Sequence, residues 1–97
     1  MTASLIDPLS RVLRNESIPT GEIDGELVAL DLDRGECFGL DSVGLAIWRL
    51  AADPISVAQI ADRLVEDYAV DRPTCLAQIS PFIGQLIAAN LLRLVPG

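Results

Sequence analysis

Side chains that could do chemistry are scarce in this sequence. It contains two cysteines, Cys37 and Cys75, and neither histidine nor lysine. No glycine-rich loop precedes a predicted helix, as a phosphate-binding motif would require. Covalent and acid–base catalysis need a nucleophile beside a base, and a zinc site needs several cysteine or histidine ligands. We therefore expect a protein that is not an enzyme and that uses no metal or cofactor.

Two acidic residues give the strongest remaining catalytic signal. Asp31 and Asp33 are two residues apart, so on one strand they point the same way, as paired catalytic carboxylates would. Together with Glu36 they could ligate Ca²⁺, although the twelve-residue pattern of a calcium loop is missing. We favour solvated acids at the end of a hairpin. For Cys37 and Cys75 we favour small apolar fillers at buried or half-buried positions over a single disulfide.

The charge of the chain restricts its partners. Its net charge is -7, and all seven basic residues are arginines scattered along the sequence. Because binding to polyanions depends on clustered cations, we expect neither nucleic acid nor a membrane as partner and favour a neutral or basic one. The length predicts one domain over residues 1–97. The absence of a signal-like segment or a long apolar run predicts a cytoplasmic protein.

The hydrophobic spacing changes from strand-like to helical near Asp41, which predicts strands first and helices second. Residues 26–33 and 36–40 are expected to pair as a hairpin, residues 10–14 to add a third strand, and residues 91–95 to form a short strand or an extended tail. Five side chains are expected on the core face of the hairpin: Val28, Leu30, Leu32, Phe38 and Leu40.

Three helices are predicted after the hairpin. The first is capped by Asp41 or Ser42 and runs to about residue 52, and the second follows a cap at Ser56 and ends near residue 68. The third begins at Asp71 and carries an apolar stripe to residue 87. Pro81 lies inside it and predicts either a kinked helix or two shorter helices.

Trp48, the single tryptophan, has two interpretations. An exposed indole could anchor a partner, because tryptophan is enriched in binding hot spots. We favour a buried indole that covers the core between the first helix and the hairpin.

From the second strand onward, the sequence resembles the PqqD-like family, the leader-binding recognition elements of ribosomally synthesised and post-translationally modified peptides. The resemblance covers about sixty residues, and its specificity comes from the order and spacing of individually weak features. They are Leu40-Asp41, Gly44, Ile47, Trp48 and Leu50, then Val57, Ile60, Leu64 and Tyr68, then Ile79, Phe82, Ile83 and Leu86, and finally Asn90-Leu91-Leu92. Asp53-Pro54 and Pro81 depart from the pattern of the family.

The resemblance implies an α+β, winged helix-turn-helix-like fold in which an N-terminal three-stranded antiparallel sheet packs on three helices. It also implies that a leader peptide lies as an added strand along the hairpin edge and against the third helix. An exposed strand edge can accept a peptide because its backbone donors and acceptors are unpaired. The expected edge residues are Glu36, Cys37, Phe38 and Gly39, and the expected helix residues are Thr74, Cys75, Gln78, Phe82 and Gln85.

Two of these residues have open alternatives. Gly39 either permits close approach of the peptide backbone or marks a bulge in the strand. Phe82 is either the apolar anchor of the groove or an extension of the core, and Gln78 would be a polar contact.

Three classes of function follow. The first is a non-catalytic adaptor that delivers a precursor leader peptide to a maturation enzyme. That enzyme is expected to be the leader protease and cyclase of a lasso-peptide pathway, or alternatively a radical S-adenosylmethionine enzyme in pyrroloquinoline quinone synthesis. The second is a winged-helix DNA-binding regulator, which is disfavoured because residues 73–90 contain no lysine or arginine. The third is a purely structural subunit that binds no peptide.

Overall fold

Strands occupy the first part of the chain and helices most of the second, as the hydrophobic spacing predicts. A computed structural model describes residues 7–95. The elements are β1 (Arg11–Arg14), β2 (Thr20–Ile23), β3 (Glu26–Asp31), β4 (Glu36–Leu40), α1 (Ser42–Leu50), β5 (Ile55–Ser56), α2 (Val57–Asp67), α3 (Arg72–Ala88) and β6 (Leu92–Val95). This composition confirms the predicted α+β class.

Strands β2, β3 and β4 form an antiparallel sheet in that order, which we call the hairpin sheet. Asp24 and Gly25 join β2 to β3 with φ angles of 53° and 80°. Positive φ at both central residues is typical of a type I′ turn, for which Asp-Gly is a preferred sequence. The predicted third strand at residues 10–14 is present as β1, but it pairs with β5 and β6 in a second sheet. The third strand of the hairpin sheet is β2 instead.

The hairpin sheet buries the opposite face of β3 from the one predicted. Leu27 pairs with Leu40 and Ala29 pairs with Phe38, and these pairs point toward the helices. Val28 is only half-buried, and Leu30 and Leu32 are exposed. Both faces of this strand carry apolar residues, so hydrophobicity alone does not fix its orientation, and a shift of one residue reverses every side chain.

Asp31 is buried rather than solvated. Its side chain accepts a hydrogen bond from the backbone N–H of Arg34 at 3.2 Å, and the Arg34 guanidinium lies 3.7 Å from its other carboxylate oxygen. These partners compensate for the loss of water around a carboxylate that is only 7% exposed. Asp33 lies in the exposed turn. The two acids therefore do not form a solvated pair.

The second sheet, β5-β1-β6, joins the two ends of the described chain. Val12 of β1 is fully buried, and β6 confirms the short strand predicted at residues 91–95. The guanidinium of Arg14, on β1, lies 5.5 Å from the ring centroid of Trp48. Trp48 is buried in the core cluster, as predicted.

The helix caps follow the sequence signals. The side chain of Asp41 accepts a hydrogen bond from the N–H of Gly44, and Asp71 caps α3 through the N–H of Thr74. Ser56 and Gln59 form a reciprocal capping box at the start of α2. Each cap satisfies backbone donors that the first helical turn leaves without partners.

Helix α3 is continuous through Pro81, so the alternative of two shorter helices does not apply. Proline has no N–H to donate to the carbonyl of Ala77, four residues earlier. Ala77 and Pro81 are both exposed, and this carbonyl can therefore be hydrated. The hydroxyl of Ser80 donates to the carbonyl of Leu76 at 2.7 Å.

The core lies between the hairpin sheet and the helices. Its fully buried larger side chains come from both sheets and from all three helices: Leu27, Ile47, Ile60, Ile83, Leu91, Leu92, Val12 and Val57. Within residues 7–95, no helix combines the length and the apolar character needed to cross a bilayer.

Candidate functional site

The β4 strand forms an edge of the hairpin sheet. It pairs with β3 on one side, and no strand of residues 7–95 pairs with its other side. The edge therefore presents unpaired backbone groups, which are the features that strand addition requires. All four predicted edge residues belong to β4, which runs from Glu36 to Leu40.

The pairing of the sheet determines which backbone groups of β4 face this edge. The N–H of Leu30 donates to the carbonyl of Pro19 on the β2 side of β3 at 2.9 Å. In an antiparallel strand, the N–H and C=O of one residue point the same way, and successive residues alternate. The N–H and C=O of Leu30 therefore point away from β4. Its partner on β4 is Cys37, whose N–H and C=O consequently point to the open edge.

The same alternation directs the N–H and C=O of Gly39 to the open edge, because the backbone groups of its partner Val28 also point toward β2. The backbone groups of Glu36, Phe38 and Leu40 point toward β3. The open edge thus offers two N–H donors and two C=O acceptors, from Cys37 and Gly39. A β-carbon added at Gly39 would meet no atom within 4 Å, so space beside this residue is open.

Four of the five predicted helix residues form one stripe along α3. Thr74, Gln78, Phe82 and Gln85 are spaced by four, four and three residues, which places them on one side of the helix. The three polar residues are exposed, and Phe82 is half-buried against the core. Cys75 is different: it belongs to the buried core cluster, next to the stripe.

Phe82 brings the stripe close to the end of β4. A β-carbon added at Gly44 would lie 3.3 Å from the Cζ atom of Phe82 and 2.7 Å from the β-carbon of Leu40. The absent side chain of Gly44 therefore lets the start of α1, the end of β4 and the middle of α3 meet. This close approach positions an aromatic ring beside the strand whose edge is open.

A small apolar cavity continues from the N-terminal half of the stripe. Its volume is about 200 Å³, and it is lined by Val43, Leu64, Tyr68, Val70, Cys75, Gln78 and Ile79. Pockets for drug-sized ligands usually occupy about 300–1,000 Å³, so this cavity suits a single apolar side chain better than a cofactor. Cys75 and Gln78, both predicted site residues, line this cavity.

Val43, Tyr68 and Val70 were not among the predicted site residues. Tyr68 and Val70 lie between α2 and α3, where residues 69–71 follow no regular period. An aromatic residue and a valine at the end of an amphipathic helix are a weak signal that they contact the next helix. Hydrophobic periodicity alone does not identify them.

Two ionisable groups near this cavity, Cys75 and Asp71, have shifted pKa values. Burial raises the pKa of the Cys75 thiol, and the nearby negative charge of Asp71 raises it further. A raised pKa lowers the thiolate fraction, the opposite of what a nucleophilic cysteine needs. Hydrogen bonds from the backbone and then the hydroxyl of Thr74 hold the pKa of Asp71 below its ordinary value.

The second cysteine does not fit the prediction of a buried or half-buried filler. Cys37 is exposed on β4, because its side chain alternates with the inward-facing Phe38. Both thiols are free. Within the part of the chain that the structure describes, no three histidine, cysteine or acidic side chains cluster as a metal site would require.

Comparison with known proteins identifies the family of the chain. None of the curated proteins compared with the chain matches it. A solved structure of TbiB1 in complex with the TbiA(beta) leader peptide resembles it with a TM-score of 0.74 and 35% sequence identity, over 82% of this chain and 93% of that one. The family described as coenzyme PQQ synthesis protein D (PqqD) matches residues 26–92, which include the hairpin and all three helices. The chain belongs to the PqqD family.

Proposed function

We propose that the chain is an adaptor that binds the leader of a ribosomally synthesised precursor peptide as an added strand along β4. The observation that carries this proposal is the open β4 edge, where the backbone groups of Cys37 and Gly39 point outward, with Phe82 near the end of the strand. The similarity to TbiB1, which was solved in complex with a leader peptide, supports it.

Strand addition supplies affinity through the backbone and selectivity through side chains. An extended peptide beside β4 exchanges up to four hydrogen bonds with Cys37 and Gly39, each contributing about 0.5–1.5 kcal/mol net. The side chains of Glu36 and Phe38 flank these contacts. Because these hydrogen bonds involve only backbone groups, they do not distinguish one peptide sequence from another.

Selectivity then comes from the α3 stripe and the cavity beside it. Phe82 provides an apolar contact near the end of β4, while Thr74, Gln78 and Gln85 offer polar contacts along the exposed side of the helix. Cys75 contributes as part of the wall of the small apolar cavity rather than as a surface contact. A leader with one apolar side chain in register with this cavity would be preferred.

The adaptor makes and breaks no bond in this proposal. It acts as a single domain that holds the precursor and a maturation enzyme together and raises the effective concentration of one at the other. We propose the leader protease and cyclase of a lasso-peptide pathway as the enzymes. The PqqD family match favours a second candidate, the delivery of a precursor to a radical S-adenosylmethionine enzyme.

A role in DNA binding has no comparable support. The recognition helix of a winged-helix protein normally supplies cations or hydrogen-bond donors to the duplex. Arg72 is the only basic residue of α3, and it pairs with Asp62 of α2 at 2.7 Å. The helix carries no other cation that could contact a phosphate.

The binding of a fluorescent leader peptide, taken from the precursor encoded beside this chain, tests the proposal by anisotropy. We expect a sub-micromolar to micromolar Kd, and Phe82→Ala should raise it about 5- to 150-fold, in the range of a lost anchor. Ile87→Ala is the matched control, because Ile87 is also a half-buried apolar residue of α3 but points about 140° away around the helix. Equal affinity of the two folded variants would remove Phe82 from the site, and absence of binding by the wild-type chain would refute the proposed function.

A further inference from the structure

The hairpin sheet has a largely exposed outer face, at one end of which Leu30 lines a cavity with Ile18 and Pro19. Alternation along the strands places Ile23, Val28, Leu30 and Cys37 on the side opposite the core. Ile23 is 61% exposed and Leu30 is 41% exposed. We call these four residues the outer patch; the exposed Leu32 extends it into the turn.

At two places along β3, the residue on the outer face is more apolar than its neighbour on the core face. At two successive positions of β3, the sheet buries Ala29 and Asp31, whereas Val28 and Leu30 point outward. An antiparallel sheet with one face in water normally directs its larger apolar residues to the core. At these two positions the outer face instead carries the larger aliphatic side chain, and exposed apolar side chains of this kind can form a site of interaction.

The charges around the outer patch indicate what covers it. Residues 20–40 contain five exposed acidic residues, of which Glu22 and Glu36 lie on the core side of the sheet, where Glu22 pairs with Arg49. The single arginine of this segment, Arg34, is paired with the buried Asp31. Asp24 and Glu26 lie at one end of the patch, and Asp33 lies at the other.

Asp24, Glu26 and Asp33 form an acidic rim around the outer patch, and their charge distinguishes between the possible partners. A second copy of the chain would oppose acids to acids across the interface, and an anionic membrane would be repelled in the same way. A protein surface with an apolar centre and a rim of lysine or arginine is complementary in both respects. We propose that the outer patch is the docking surface for the maturation enzyme, through such a basic-rimmed apolar surface on that enzyme.

This inference rests on the adaptor function and adds to it a second surface, which adjoins the β4 edge at Cys37. A leader peptide at β4 extends the sheet within its own plane, whereas a protein on the outer patch approaches perpendicular to that plane. Both sites can therefore be occupied at once on one small sheet. The adaptor would hold precursor and enzyme through adjacent surfaces of the same three strands.

Leu30→Ser and Leu94→Ser provide a matched pair of variants. Both replace a leucine on a strand, at 41% and 40% exposure, but Leu30 lies in the outer patch and Leu94 lies on β6 of the other sheet. Ile23→Ser, at a more exposed position of the patch, provides a second test should Leu30→Ser affect folding. The purified leader protease is the probe, immobilised for surface plasmon resonance, and leader binding is measured in parallel.

We expect Leu30→Ser and Ile23→Ser to weaken binding to the protease about tenfold, with Leu94→Ser and leader binding unchanged. Wild-type binding should also weaken severalfold between 50 and 500 mM NaCl, because the acidic rim is screened. Equal binding of all variants, or no wild-type binding to the protease, would overturn the docking surface while leaving leader binding intact. Self-association of the wild-type chain that Leu30→Ser abolishes would assign the patch to a second copy instead.

Discussion

Replacing Gly39 with proline removes a single backbone N–H from the open edge and so tests whether that donor binds the peptide. The N–H of Gly39 points away from β3, so proline removes no hydrogen bond of the folded protein. Proline is also compatible with an edge strand at such a position. A β-carbon at this position would meet no atom within 4 Å. The substitution should therefore leave the fold intact and remove one donor to the added strand.

The expected loss of affinity has two parts. One backbone hydrogen bond to the peptide contributes about 1 kcal/mol, and a peptide carbonyl left buried without a donor costs about 2 kcal/mol more. Together they amount to about 3 kcal/mol, or about 100-fold in Kd. Gly39→Ala is the control, since it adds a β-carbon but keeps the N–H.

Fluorescence anisotropy with the leader peptide measures both variants, and thermal unfolding verifies that each is folded. We predict that Gly39→Ala binds within about threefold of wild type, while Gly39→Pro binds about 100-fold more weakly. Binding of folded Gly39→Pro at the level of Gly39→Ala would refute the assignment of this N–H to the peptide.

Three further predictions concern stability and reactivity. Gly44→Ala should destabilise the fold by about 1–3 kcal/mol in urea unfolding, because its β-carbon would stand 2.7 Å from that of Leu40; an unchanged free energy of unfolding would show that the junction can relax. The folded-state pKa of Asp71 lies below the ordinary 3.8, so its contribution to stability is present above that pH and is lost as the pH falls through the lower folded-state value. Asp71→Asn should therefore flatten the acid limb of the stability curve, and an identical limb would contradict this. Cys37 should react with Ellman's reagent in the folded protein while Cys75 reacts only in denaturant, and two rapid thiols in the native state would contradict the burial of Cys75.

Local signals in the sequence were sufficient for the helices. Asp41, Ser56 and Asp71 act as caps where the predicted helices begin. Capping depends on a side chain and the backbone within three residues of it, so it is readable without tertiary information. The continuity of α3 through Pro81 was not readable, because it depends on the exposure of the unpaired carbonyl.

The strands illustrate what periodicity cannot decide. The Asp24-Gly25 turn is a strong hairpin signal that was overlooked, and with it β2 was missed. The prediction of which face of β3 is buried was wrong, because Leu27 and Ala29 alternate with equally apolar neighbours. Only packing against α1 selects between the two faces. A conflict between pattern and burial of this kind often marks a surface used in binding.

The candidate site was predicted mainly through the family resemblance. The spacing of Gln78, Phe82 and Gln85 placed them on one side of α3, and the structure confirms this. Residues 36–40 were predicted as a strand, but the outward direction of the Cys37 and Gly39 backbones required the pairing of β3 with its neighbour on the β2 side. Information of that kind is long-range and is absent from any local pattern.

Backbone amide hydrogen exchange, followed by NMR with and without the leader peptide, tests the central claim most directly. The N–H groups of Cys37 and Gly39 face the open edge, whereas that of Phe38 already points into the sheet. We predict that the peptide slows exchange at Cys37 and Gly39 by at least about tenfold, which corresponds to about 1.4 kcal/mol of protection, with a smaller change at Phe38. Unchanged exchange at both edge residues in a saturated complex would show that the peptide binds elsewhere.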